Sequence, residues 1–195
     1  MIDALKAAGL VAVIRGESYD DGYKKAKTAV DCGIKAIEIT FTTPEAVRLI
    51  ADLKQEFLKT DVLIGAGTVL NFADAAAACR AKADFAVSPG FSLEAADACA
   101  VHQVLYIPGV YTPTEVMNAM EHGFSMVKLF PGGLAHLKAL KGPFPQVDFM
   151  VTGGVTKETI KDFMTAGAVC IGAGSNLFPK TGAKEEINAW LKAIK

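Results

Sequence analysis

Short runs of consecutive apolar residues alternate along this chain with longer stretches in which apolar side chains recur every three or four positions. The runs, rich in Val, Ile and Ala, fall at Leu10–Arg15, Ile34–Phe41, Val62–Thr68, Phe85–Pro89, Val104–Pro108, Met126–Phe130, Phe149–Gly153 and Val169–Gly172. Their lack of hydrophobic/polar alternation predicts strands of a parallel sheet covered by helices. Tyr23, Ala26 and Val30, then Ala46, Ile50, Leu53 and Phe57, each mark one face of a helix between strands. Thr43-Pro44 and Thr112-Pro113 with Glu115 read as helix starts, a capping hydroxyl followed by proline at the first helical position. Gly33, Gly123 and Gly167 read as helix stops, where a residue able to take positive φ is needed. Eight strand–helix units predict an α/β fold, a single-domain (β/α)8 TIM barrel over residues 1–195, with a short helix at Met1–Ala8 closing its bottom. The competing architecture is a doubly wound open sheet, but no G-x-G-x-x-G follows the first strand.

In such a barrel the strand C-termini face the active site, so charged residues near those ends carry the information. Arg15 ends the first run, Glu38 interrupts the second and Lys128 interrupts the sixth. Alternation puts Ile37 and Ile39 on one side of the second strand and Ala36, Glu38 and Thr40 on the other. The bulky side suits the helices, so Glu38 is expected inside. The same parity turns Met126, Lys128 and Phe130 inward and Val127 and Leu129 outward. Barrel closure makes contact between acid and amine feasible. The plainer reading is a structural ion pair, yet buried pairs often stabilise no better than apolar packing. A buried lysine suits nucleophilic attack on a ketone, because desolvation disfavours the ammonium form, and a nearby carboxylate suits proton transfer. Arg15 offers a planar cation for a substrate carboxylate; the other use is a bridge to Glu38 or to an exposed acid. Thr152-Gly153-Gly154 and Gly172-Ala173-Gly174-Ser175 follow the seventh and eighth strands, where turns of this barrel bind phosphate. Thr156 is a candidate cap for the helix after the first of them.

Composition narrows the partners. With 51% hydrophobic residues in 195, the chain can bury a core, which excludes disorder. Twenty basic against twenty-one acidic residues, with no basic stripe, argue against nucleic acid. Leu10–Ile14 is too short to cross a bilayer and no charged leader precedes it, so no membrane partner and a cytoplasmic location are expected. Cys32, Cys79, Cys99 and Cys170 lack the paired spacings of zinc or redox sites and are expected to be reduced packing residues. His102, His122 and His136 are isolated, so neither metal nor cofactor is expected.

The strings IEIT (Ile37–Thr40), GAGTV (Gly65–Val69), SPG (Ser88–Gly90), IPG (Ile107–Gly109), VKLFP (Val127–Pro131), KALKGPFPQV (Lys138–Val147) and TGGV (Thr152–Val155) span nearly the whole chain. Together they resemble the class I 2-keto-3-deoxy-6-phosphogluconate (KDPG) aldolases, also called 2-keto-4-hydroxyglutarate (KHG) aldolases. The resemblance implies a metal-independent, homotrimeric barrel enzyme that cleaves a small 2-keto acid to pyruvate and an aldehyde. It implies that Lys128 forms the Schiff base and Glu38 moves protons. Thr68 and Pro89 match pyruvate-pocket positions and Phe130 a packing residue. Thr152 lies where a hydroxyl holds the catalytic water, and Gly153, Gly154, Gly174 and Ser175 match phosphate turns. One departure stands out: many members carry Arg four residues after the catalytic Glu, where this chain has Thr42. The VIRG string resembles the phosphogalactonate branch, in which an Arg at that strand end serves the carboxylate, and Arg15 takes that role here. IEITFTTPE and GPFPQ look more like the gluconate and hydroxyglutarate branch. The rival functions are a phosphosugar isomerase or epimerase and a non-catalytic sugar-phosphate binding protein.

Overall fold

The structure, a computed structural model, describes residues 1–194; Lys195, which closes the expected domain, lies outside the described residues. Helix α1 (Ile2–Ala8) leads into β1 (Leu10–Ile14), α2 (Tyr19–Asp31), β2 (Ala36–Thr40), α3 (Ala46–Glu56), β3 (Leu63–Gly67), α4 (Phe72–Arg80), β4 (Phe85–Val87) and α5 (Leu93–Val101). The second half runs β5 (Leu105–Ile107), β6 (Gly109–Val110), α6 (Pro113–Glu121), β7 (Met126–Leu129), α7 (Leu134–Lys141), β8 (Asp148–Thr152), α8 (Ile160–Thr165), β9 (Ala168–Ala173), a 3-10 turn (Ser175–Leu177) and α9 (Ala183–Ala193). Every pairing is parallel, in the order β5-β4-β3-β2-β1-β9-β8-β7-β6.

The two ends of that order are one stave. Pro108 has no N–H to give to a ladder, and it divides the stave into β5, which pairs with β4, and β6, which pairs with β7. The Pro108 carbonyl still accepts the Lys128 N–H at 2.8 Å, so the wall closes across the break. The result is an eight-stave (β/α)8 barrel whose fifth stave continues two residues beyond the predicted stop at Pro108.

Strand parity sorts the core into two shells. Ile37, Ile39, Val127 and Leu129 face outward into the layer shared with the helices. Val11, Ala36, Phe85, Val87, Ile107, Met126, Met150 and Cys170 fill the barrel, and fully buried Leu5 of α1 joins them from below. The N-terminal helix is therefore a plug, as expected.

Helix boundaries follow local chemistry. Thr112 and Glu115 form a reciprocal capping box at α6. Gly33, Gly123 and Gly167 take φ of 101°, 83° and 102°. Two expected starts move. Thr43 does not cap α3, which begins at Ala46; its hydroxyl instead accepts the Gly16 N–H at 3.0 Å and is buried. The helix after β8 likewise starts late, at Ile160, with Thr156 in the preceding turn. Among the described residues no helix is long and apolar enough to cross a membrane.

Because Leu5 is enclosed by barrel side chains that cannot close over its absence, Leu5→Ala should lower unfolding free energy by about 2–5 kcal/mol in denaturant titration. A change below about 0.5 kcal/mol, the surface-substitution range, would show that α1 is not part of the core.

Candidate active site

Glu38 is fully buried on the inner face of β2, and Lys128, on the inner face of β7, is 6% exposed. Register places Glu38 opposite Gly65 of β3 and Lys128 opposite Gly109 of β6 and Met150 of β8. The amine nitrogen lies 3.6 Å from Glu38 Oε1, across the barrel's narrow interior. Among the described residues neither oxygen of Glu38 has a hydrogen-bond partner, and the inward Thr152 hydroxyl has none either. A pair built for stability would sit at hydrogen-bonding distance with its remaining oxygen satisfied, since unpaired buried polar groups cost free energy. The arrangement instead leaves the Glu38 carboxylate beside a buried amine, with the Thr152 hydroxyl also unpartnered on an inward face.

Space for this pair comes from glycine. A Cβ at Gly67 would overlap the Glu38 carboxylate, one at Gly65 would overlap the Phe85 ring, and one at Gly172 would overlap the Thr152 hydroxyl. Phe85 thus forms a floor beside β3, and Glu38 lies across the bare backbone above it. Reading by residue chemistry missed this, because GAG carries no reactive group; the signal was two inward glycines opposite a bulky ring and an acid. Cys170 also lies in the interior, but burial first, and then the charge of Glu38, pushes its thiol up to about 12, so it remains protonated.

Phe130 follows Lys128 on the same parity and holds its ring 5.4 Å from the amine nitrogen. Phe130 is 40% exposed and forms one wall of a cavity of about 550 Å³ at the strand ends of β1, β8 and β9. Thr152, Gly153, Gly154, Gly174 and Ser175 line it together with Arg15 and Lys25. Gly153 and Gly154 take φ of 82° and 69°, a turn that side-chain-bearing residues rarely adopt. Arg15 is exposed and, among the described residues, makes no ion pair, so it bridges neither Glu38 nor a surface acid. Its backbone carbonyl accepts Lys25 Nζ at 3.0 Å. This position groups Arg15 with the glycine turns in one cavity. Thr42 is exposed and bonds the Thr40 hydroxyl at 2.9 Å.

Thr68 and Pro89 lie elsewhere on the mouth, at the ends of β3 and β4, outside the cavity lining. Thr68 has φ of 57°, which for a β-branched residue is a strained conformation costing about 1–3 kcal/mol. The structure therefore divides the predicted site residues into a buried acid–amine pair, a glycine-lined cavity with Arg15, and a rim of Thr68 and Pro89 in which Thr68 is strained. Of the remaining candidates, His122 packs on Phe91 at 5.0 Å and His136 on Tyr111 at 4.4 Å. No group of three or more His, Cys, Asp or Glu is gathered for a metal among the described residues.

A buried amine facing a carboxylate at the C-terminal mouth of a parallel barrel is an arrangement that Schiff-base chemistry can use. A family model described as "Aldolase: KDPG and KHG aldolase" matches residues 1–193. The chain belongs to that family, whose members are class I carbon–carbon lyases. It is 37% identical over 183 residues to a 2-dehydro-3-deoxy-phosphogluconate aldolase of Treponema pallidum (strain Nichols), covering 92% of this chain and 86% of that one. It is 36% identical over 180 residues to the KHG/KDPG aldolase of Escherichia coli (strain K12), covering 90% and 83%. Among solved structures it is similar to a KDPG aldolase from Legionella pneumophila with pyruvate captured as a covalent carbinolamine. The TM-score is 0.83 at 31% identity, over 98% of this chain and 94% of that one.

Since the atoms nearest to a methyl group at Gly67 all belong to the Glu38 side chain, Gly67→Ala should displace Glu38. Misplacement of a reacting group by about 1 Å can cost on the order of 10²-fold in rate. Steady-state pyruvate release should show a fall of that scale in kcat; an unchanged kcat would separate Glu38 from the chemistry.

Proposed function

We propose that this chain cleaves 2-dehydro-3-deoxy-6-phosphogluconate to pyruvate and glyceraldehyde 3-phosphate, and 4-hydroxy-2-oxoglutarate to pyruvate and glyoxylate, through a Schiff base on Lys128. The observation that carries this reading is the buried Lys128 nitrogen 3.6 Å from a carboxylate with no hydrogen-bond partner. The Lys128 amine adds to the C2 ketone, giving a carbinolamine. Glu38 delivers the proton that lets water leave, and an iminium forms. Glu38 then removes the proton of the C4 hydroxyl, the C3–C4 bond breaks, and its electron pair passes into the iminium as an enamine while the aldehyde departs. Glu38 returns that proton to C3, and water releases pyruvate and the free amine.

The mouth supplies orientation. Thr68 and Pro89 border the pyruvyl half, Phe130 packs beside the new C–N bond, and the Thr152 hydroxyl holds the water lost and regained. Gly153, Gly154, Gly174 and Ser175 receive the phosphate of the longer substrate, with Arg15 supplying charge from the same cavity. The placement of Arg15 supports this use over capture of the C1 carboxylate. The enzyme acts as one domain over residues 1–195, without a metal or organic cofactor, in the cytoplasm.

Borohydride added with pyruvate should fix a pyruvyl adduct on the peptide carrying Lys128, visible as a mass increase, and Lys128→Met should abolish it. Absence of the adduct from the native chain would favour an isomerase or epimerase. Glu38→Gln should slow pyruvate release about 10²-fold or more, the scale of a general acid/base group. Release from gluconate-, galactonate- and hydroxyglutarate-derived substrates, followed through lactate dehydrogenase, ranks the specificities; preference for the galactonate epimer would reassign the branch.

The chain also assembles as a homotrimer. Leu70, Phe72, Leu93, Tyr111 and Met117, each 47–57% exposed, support an apolar contact between copies. Sedimentation at micromolar concentration should give three times the 20.5 kDa chain mass, and a monomer would reject it.

A further inference from the structure

Thr68 keeps a strained backbone at the edge of the pyruvyl half, and something must hold it there. Its neighbours are fixed from both sides. The Gly67 carbonyl accepts the Phe41 N–H at 2.8 Å, and the Val69 N–H donates to the Val87 carbonyl at 3.1 Å. The Val69 carbonyl accepts the hydroxyl of Ser88, a side chain 1% exposed at the end of β4. Ser88 in turn accepts from the Tyr106 hydroxyl at 2.8 Å, and Tyr106 accepts the Ser92 N–H at 3.1 Å.

These bonds form one directed chain from the residue before α5, through Tyr106 on β5 and Ser88 just past β4, to the Val69 carbonyl, one peptide beyond the Thr68–Val69 bond. Each hydroxyl donates once and accepts once, so no member can turn away without leaving a buried polar group unpaired. Tyr106 is 3% exposed, and burial raises its phenol above its ordinary value, so it stays a donor throughout the neutral range. Ser88 also precedes Pro89 directly, with its own N–H on the Ile107 carbonyl at 3.2 Å. Both residues assigned to the pyruvyl half are thereby tied to one phenol.

We propose that Tyr106 and Ser88 are positioning residues for keto-acid binding: their hydroxyl chain holds Thr68 in its left-handed conformation and keeps Pro89 beside it. They touch neither substrate nor reacting atoms. The inference rests on the reading of Lys128 as the Schiff-base lysine and of Thr68 and Pro89 as the pyruvyl border.

Tyr106→Phe removes the donor while retaining the ring that packs edge-on against Phe124 at 5.6 Å. Ser88→Ala breaks the next link independently. The readout is borohydride trapping of pyruvate on Lys128, scored as the pyruvate concentration for half-maximal adduct, beside inhibition by inorganic phosphate of cleavage of the phosphogluconate-derived substrate. Each variant should raise the half-saturating pyruvate concentration about five- to tenfold, the scale of one buried hydrogen bond. The maximal trapping rate should stay within about twofold and phosphate inhibition should not move, because the phosphate turns belong to other strands. The double variant should show little more than either single change, as links of one chain are not additive. Unchanged pyruvate saturation in the folded single variants would overturn the proposal, and so would pyruvate and phosphate affinities falling together. Failure of the native chain to trap pyruvate at all would overturn the aldolase reading instead.

Discussion

The mouth of this barrel is organised around a carboxylate and an amine held 3.6 Å apart with too few partners. In a low-dielectric interior that arrangement is unfavourable, and the fold sustains it with apolar packing on both sides of the strands. The outward residues Ile37, Ile39, Val127 and Leu129 are fully buried against the helices, which fixes the parity of β2 and β7. A one-residue slip of either strand would expel the reactive group and bring an isoleucine, valine or leucine inward. The same hydrophobic shell that stabilises the molecule therefore sets the address of its chemistry.

Volume is the second constraint. A barrel of this size is filled by its own side chains, so a long acid and a lysine can enter only where neighbouring strands give way. Gly65 and Gly67 on β3, and Gly172 on β9, supply that room, while Phe85, Met150 and Leu5 fill the bottom below. The interior changes character along its axis, from closely packed apolar side chains beneath to glycine-lined polar space above. The lysine stands at that boundary, buried behind the cavity lining with its amine 5.4 Å from the Phe130 ring that forms one wall.

Much of this was legible in the sequence, for physical reasons that also mark its limits. Parity and periodicity are local, so the burial of Glu38 and Lys128, the eight staves, the plug helix and the Thr112 cap could be read directly. The interruption at Pro108 escaped because a proline at a strand end and a proline inside a stave look alike in one dimension. Thr43 looked like a cap, but its hydroxyl is taken by Gly16, 27 positions away. Arg15 could be found by its place at a strand end, yet the loops that share its cavity come from strands far along the chain and are not visible from its position in the sequence. The link from Tyr106 to Ser88 spans 18 positions and follows no period, so only the folded chain brings it into view.

Short connections explain why so small a barrel can be accurate. Glu38, Lys128 and Thr152 project from strands, where hydrogen-bonded ladders fix the backbone, and only the rim residues depend on loops. Loops are ordinarily the mobile part of such a molecule. Here the critical one, after β3, is drawn into the wall: the Val69 amide and carbonyl both bond to the end of β4, and Thr43 and Thr40 stitch the β1 and β2 mouths in the same way. The strain at Thr68 is the cost of that rigidity. A relaxed loop would place the Thr68 side chain only on average, whereas a strained and clamped one places it once.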